Sequence, residues 1–248
     1  MAKKSLGQNF LRNKSVVKNI VSASNLKNND IVLEIGPGKG ILTEELLKNS
    51  EKVIAIEKDD GLYKFLKEKF WEEIENKKLN LLHGDILKEK LPKLKKYKLI
   101  SNIPYNITGE IIRKFLSGDN QPELITLLVQ KEVAKRIVAA DGKESILSIS
   151  VKAYGKPKYI KKVSARDFSP APKVDSAILS IEKISKNFFK EIDEEEFFNL
   201  VRKGFSQKRK KLSNTLKGLV KPKKSPVNLS LRAENLSLTD WKKLLQKI

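Results

Sequence analysis

Gly36, Gly38 and Gly40 fall in the run GPGKG, directly after an apolar segment, IVLEIG (31–36). Without Cβ atoms a ligand can approach the backbone closely, and a helix starting beyond the turn offers unpaired N–H groups. Such a turn suits a nucleotide-type ligand. The dinucleotide fingerprint wants G-x-G-x-x-G, and here the third glycine comes one residue early, so no pyrophosphate cradle is implied. Glu57 ends a second apolar segment, KVIAIE (52–57), where a carboxylate accepts hydrogen bonds from both ribose hydroxyls. Asp85 closes a third, LNLLHGD (79–85), placed to accept from an adenine amino group. Alone, each residue reads equally well as a turn, a surface acid or a helix cap. At consecutive strand ends they read as one ligand site on the carboxyl edge of a sheet. Asn102-Ile103-Pro104-Tyr105 then ends a fourth segment, YKLISNI (97–103). In isolation that tetrapeptide is a Pro-terminated strand with an aromatic lid.

Other chemistries drop out by composition. The chain has no cysteine, which excludes disulfides, thiolate zinc sites and cysteine nucleophiles. His83 is the single histidine and reads as structural, in a turn after a strand.

Elements must hold these residues in place. Helical spacing over 41–49, 61–70, 108–116 and 132–140 alternates with the apolar segments and with a fifth, ELITLLVQ (123–130). That alternation predicts a parallel, doubly wound α/β sheet. Thr108 is placed as a helix N-cap. Residues 146–154 fit a helix or a strand. YIKKVSA (159–165) and SAILSIEK (176–183) are expected to close the sheet, separated by the turn FSPAPKV. After residue 184 the pattern changes to helices alone, EEEFFNLVRKGF and LTDWKKLLQK, flanking a Pro-interrupted loop, KPKKSPVN. The expected division is 1–184 and 185–248.

Charge points to a polyanion. The 248 residues carry 51 Lys+Arg against 30 Asp+Glu, a net charge of +21. Only seven of the 51 are Arg, and the richness in Asn and Ile also fits a genome-wide bias. Distribution favours a footprint: 1–29 hold six basic residues and no acid, and 202–224 hold ten and no acid. No apolar run approaches the ~18 residues of a membrane span. The start, MAKKSLGQNFL, lacks the apolar stretch of a secretory signal, so a cytoplasmic protein without a membrane partner is expected.

Asn-[Ile/Leu/Pro]-Pro-[Tyr/Phe], placed downstream of such a glycine turn, resembles the signature of S-adenosylmethionine-dependent methyltransferases that act on exocyclic amines. Further segments are SLGQNFL (5–11), VLEIGPGKGILT (32–43), SNIPYNIT (101–108), QKEVAKRIVA (130–139), FSPAPKVDSA (168–177), FSQKRKKLSNTLK (205–217) and RAENLS (232–237). Together they resemble the ribosomal RNA adenine dimethyltransferases over nearly the whole chain, while 142–151 follow the family's pattern only loosely. The resemblance implies a Rossmann-like class I methyltransferase sheet with a small C-terminal helical domain for RNA or ribosome binding. It implies S-adenosylmethionine as cofactor, held by Asn9, Leu11, Gly36, Glu57, Asp85 and Asn102. It makes Asn102, Tyr105 and Phe168 the catalytic residues, the two aromatics clamping a flipped adenine, although Phe168 also reads as a core aromatic at a strand end. The N-terminal arm, the stretch 152–162 and the segment 202–224 would track RNA backbone. The expected substrate is small-subunit (16S) rRNA in immature 30S particles, two adjacent adenosines being dimethylated at N6 by a monomer. RAENLS, PAPKVDS and FSQKRKKL point to that branch; Ile103 suits the 23S rRNA enzymes of macrolide resistance. An assembly factor acting mainly by binding is a further reading. A nicotinamide enzyme is disfavoured by the glycine spacing.

Overall fold

The computed structural model describes residues 8–89, 94–220 and 225–248. The first residues of the basic arm (1–7) and the KPKK of the Pro-interrupted loop (221–224) lie outside the described residues.

The central strands are the apolar segments. β1 (Phe10–Leu11) and α1 (Lys14–Ala23) lead into β2 (Ile31–Ile35), α2 (Ile41–Asn49), β3 (Lys52–Glu57), α3 (Asp60–Lys69), α4 (Trp71–Glu75) and β4 (Leu79–His83). β5 (Lys98–Asn102), α5 (Thr108–Ser117), β6 (Leu124–Gln130) and α6 (Lys131–Val138) follow. Next come α7 (Ile146–Lys152), β7 (Lys156–Val163), β8 (Phe168–Ser169) and β9 (Ser176–Glu182). The last helices are α8 (Glu194–Gly204), α9 (Leu212–Thr215) and α10 (Leu238–Leu245).

Seven strands form one sheet in the order β4-β3-β2-β5-β6-β9-β7. From β4 to β6 the pairs are parallel, and β9 runs antiparallel to β6. The central strands are covered on both faces, which is why they are continuously apolar rather than alternating. The order runs outward from β2 in two directions, through β3 and β4 on one side and β5 and β6 on the other. The β2–β5 junction is therefore the switch point, where α/β sheets open a crevice for ligands. The β2–β5 register is short, Val32↔Lys98 and Leu33↔Leu99. Beyond it the Ser101 hydroxyl donates to the Ile35 carbonyl. The strands are held by a side chain where they begin to part.

One expectation is corrected and one open alternative is resolved. Ile107, not Thr108, is the N-cap of α5 and supplies no side-chain bond, while the Thr108 hydroxyl is buried without a partner. The ambiguous 146–154 stretch is helical over Ile146–Lys152, where Ser145 and Ser148 form a reciprocal capping box at its start.

By contacts, residues 1–134 with 158–184 make one compact unit, and 135–157 with 185–248 a second. The segment 135–157, expected with the first domain, thus clusters with the later helices. In the first unit, α1, α2 and α3 bury Val17, Ile20, Leu46 and Leu66 in a cluster with strand residues Val32, Val53 and Ile100. In the second, α8 packs on α10. Phe197, Leu200, Trp241 and Leu244 are buried there, and the Trp241 ring leaves no room for a Cβ at Gly204. Among the described residues no helix is long and apolar enough to cross a membrane.

Candidate active site

One cavity gathers the residues singled out at the strand ends. Its wall includes Asn9, Leu11, Gly36, Glu57, Asp85 and Asn102, together with Tyr105. All come from the first unit.

The turn after β2 needs its glycines. Gly36, Gly38 and Gly40 have φ of +63°, +60° and +78°, the left-handed region that costs a residue with a Cβ about 1–2 kcal/mol. Space is short as well, since a Cβ on Gly40 would lie 2.5 Å from the Phe70 ring and one on Gly38 3.1 Å from the Phe10 ring. The turn is tied to the next strand through Glu57. Its carboxylate accepts from the Gly38 N–H at 3.1 Å and from the Asp59 N–H at 2.8 Å, one on each oxygen. Burial pushes the Glu57 carboxyl above its ordinary value, opposed by these backbone bonds. A carboxylate has about four lone-pair sites, so acceptor capacity remains beyond these backbone bonds.

Asp85 follows β4. Lys58 donates to its Oδ2 at 2.9 Å and Leu87 N–H to its Oδ1 at 3.0 Å, and Lys58 holds the carboxyl below the usual range. Any adenine amino group there would compete with Lys58. Asn102 ends β5, and its Nδ2 donates to the Asn9 carbonyl at 3.3 Å. That bond orients the amide and leaves Oδ1 to accept. Pro104 directs the chain into a turn from which Tyr105 reaches Ser176, with the two hydroxyls 2.5 Å apart. The partly buried Tyr105 phenol is raised above its ordinary value by desolvation.

Phe168 is the exception. It is 3% exposed, lies in the core cluster, and is not part of the cavity wall. It pairs with Leu11 in the two-stranded ribbon β1–β8, so it stands behind a wall residue. His83 ends β4 and takes no part in the wall, stacking on Tyr63 at 4.7 Å with Nε2 2.8 Å from Asp60.

Among the wall residues that the sequence reading passed over, Glu34 and Phe10 stand out. Glu34 is buried inside β2, where it accepts from the Thr43 hydroxyl at 2.7 Å, and burial pushes its carboxyl up to about 8. Its signal was a lone charge within an apolar strand. Phe10 covers the glycine turn, with the Lys39 ammonium 5.3 Å from its ring centre. Among the described residues no cluster of His, Asp or Glu is arranged to hold a metal.

Left-handed glycines, a buried acid at the end of β3 and an acceptor amide at the end of β5 fit a ligand with a sugar and a base. They fit S-adenosylmethionine, whose reacting methyl would need no base beside it. Comparison with known proteins agrees. Residues 1–247 match the family described as ribosomal RNA adenine dimethylase. The chain is 45% identical to the ribosomal RNA small subunit methyltransferase A of Dehalococcoides mccartyi strain CBDB1, covering 98% of this chain and 87% of the relative. It is 39% identical to the protein of that name from Chlorobaculum parvum, covering 100% and 89%. A solved dimethyladenosine transferase from Plasmodium falciparum superposes with a TM-score of 0.82 at 32% identity, over 96% of each chain. The 23S rRNA methyltransferase ErmE superposes at 0.81 with 25% identity, over 96% of this chain and 99% of that one.

Proposed function

This chain belongs to the ribosomal RNA adenine dimethylase family, and from that premise we propose that it dimethylates N6 of two adjacent adenosines in small-subunit (16S) rRNA. It is an rRNA adenine dimethyltransferase of the Rossmann-like class I fold. The observation that carries the reading is the shared cavity at the β2–β5 switch point, with the glycine turn and Asn102 in one wall.

S-adenosylmethionine, when bound, supplies an activated methyl group. Gly36, Glu57 and Asp85 would hold it, with Asn9 and Leu11 covering it and Asn102 at its junction with the target base. The chain's own task is to present a poor nucleophile, because the N6 lone pair is conjugated with the adenine ring. The Asn102 Oδ1 and the Ile103 carbonyl accept the two N6 hydrogens, which favours a pyramidal nitrogen with its lone pair turned to the methyl group. Tyr105 stacks on the extruded base. Phe168, the second aromatic of the clamp, meets a base only by turning out of the core. Catalysis is then chiefly orientation and electrostatics.

The relatives named for the small subunit reach 45% identity, against 25% for the 23S enzyme, which supports 16S over 23S rRNA. The fuller proposal is a cytoplasmic monomer acting on immature 30S particles, with 1–184 catalytic and 185–248 binding RNA or ribosome. The test offers under-methylated small-subunit particles and protein-free 23S rRNA with labelled cofactor and counts dimethyladenosine by mass spectrometry. Wild type should modify the particles, and Asn102→Ala should lose turnover while still binding them. Preferential modification of 23S RNA would establish the resistance-type reading. Full turnover by Asn102→Ala would remove the amide from the mechanism.

A further inference from the structure

We propose that Asp167 is a positioning residue that fastens the cover of the cofactor cavity to the loop bearing Phe168, so that filling the cavity and engaging the target base favour each other. The inference deepens the proposed reaction and rests on it.

Asn9, Phe10 and Leu11 line the cavity, yet the segment they form has little structure of its own. β1 is two residues long and pairs with β8 in the register Phe10↔Ser169 and Leu11↔Phe168. An isolated two-stranded ribbon is marginal in water. Asp167 adds what the ribbon lacks. Its carbonyl accepts from the Arg12 N–H at 2.9 Å, and its Oδ1 accepts from the Asn13 side chain at 2.7 Å. Its Oδ2 accepts from the Ser164 N–H at 3.1 Å, closing the turn that precedes Phe168. One carboxylate therefore divides its oxygens between the arm and the loop. Asn13 passes the restraint on, since its Oδ1 caps α1 at the Ser15 N–H, 2.9 Å away.

The far end of the same loop is anchored too. Asp175 accepts from the Ala165 N–H at 3.1 Å, and the next residue, Ser176, bonds Tyr105 in the cavity wall. Thus residues 164–176 run from the cofactor's cover to the aromatic proposed to stack the base. Anything that orders the arm lowers the cost of ordering that loop, and by linkage the reverse holds.

The test measures binding of S-adenosylhomocysteine, the unreactive product, with and without substrate RNA particles. In the wild type RNA should tighten binding by about 5-fold or more, within the usual range of coupling. Asp167→Ala should bring that ratio close to unity. Because that variant removes two side-chain bonds and risks the fold, Asn13→Asp serves as the second probe. It keeps the cap on α1 but sets two carboxylates against each other, so the ratio should again collapse. The double variant Asn13→Asp/Asp167→Asn restores a donor–acceptor pair between the two positions and should recover the coupling. A merely structural role would not move the ratio or yield that rescue. Wild-type coupling retained in folded Asp167→Ala or Asn13→Asp overturns the proposal and leaves the assigned reaction intact. RNA-independent binding in the wild type overturns it as well. Absence of any S-adenosylhomocysteine binding by the wild type would sink the cofactor assignment along with it.

Discussion

Glu34 shows how a single residue stores a dependence on pH. Enclosed in β2, its carboxyl is pushed up to about 8 by burial, against the ordinary 4.5, with the Thr43 hydroxyl opposing. Between those values the folded chain keeps a proton that the unfolded chain has released. This contribution to stability is therefore full below about 4.5 and is lost as pH rises towards about 8. Glu57 shifts in the same direction, also by burial, and contributes with the same sign. Glu34→Gln should flatten the decline in thermal midpoint between about pH 5 and about pH 8. An unchanged decline would mean that Glu34 is ionised in the fold. Sequence reading missed this residue for a definite reason. It sought acids at strand ends, where Glu57 and Asp85 stand, while Glu34 lies one position inside the strand's last residue.

Among elements, what was legible in advance follows from burial. β2, β3, β5 and β6 are mostly apolar and largely buried because both faces are covered, and each was readable to within a residue or two. β1 and β8 were not readable, because two residues show no periodicity and their pairing spans about the length of the first unit. Thr108 misled as a cap because the preceding turn of Tyr105–Ile107 brings the chain into the helix one residue earlier. The glycines, Asn102 and Tyr105 were legible from residue type and order, while Phe168 read either as a base clamp or as a core aromatic at a strand end, because its partner Leu11 is so remote in sequence. Phe168→Ala should therefore destabilise the first unit by about 3–5 kcal/mol through the cavity it leaves. Urea denaturation measures this. A variant of wild-type stability with slowed methylation would show instead that the ring spends its time on the base.

The whole molecule is strongly cationic, and the clearest excess lies in the second unit. Lys208, Arg209, Lys210 and Lys211 form an exposed loop between α8 and α9. Changing all four to Gln should weaken RNA binding and reduce its salt dependence. Each lost phosphate contact lowers the slope of log affinity against log salt by about 0.7–0.9. Cofactor affinity in the absence of RNA should hold, because none of the four lines the cavity. Filter binding across a salt series would decide it, and an unchanged slope would place the RNA footprint elsewhere.

The chain passes between its two units three times, after residues 134, 157 and 184. Heredity meets that arrangement as a constraint. A genetic crossover at residue 184, where the last segment begins, carries over 185–248 but leaves 135–157 behind. The hybrid would then set Tyr154 of one parent against the other parent's counterpart of Glu194, its hydrogen-bond partner at 2.5 Å. A single exchange at residue 134 hands the second unit over whole but takes 158–184 along and so divides the first, and only switches at all three crossings, or drift in which both pieces change together, keep both units intact. Substitutions in α7 and α8 are thus expected to descend as pairs, although some forty residues of sequence lie between them.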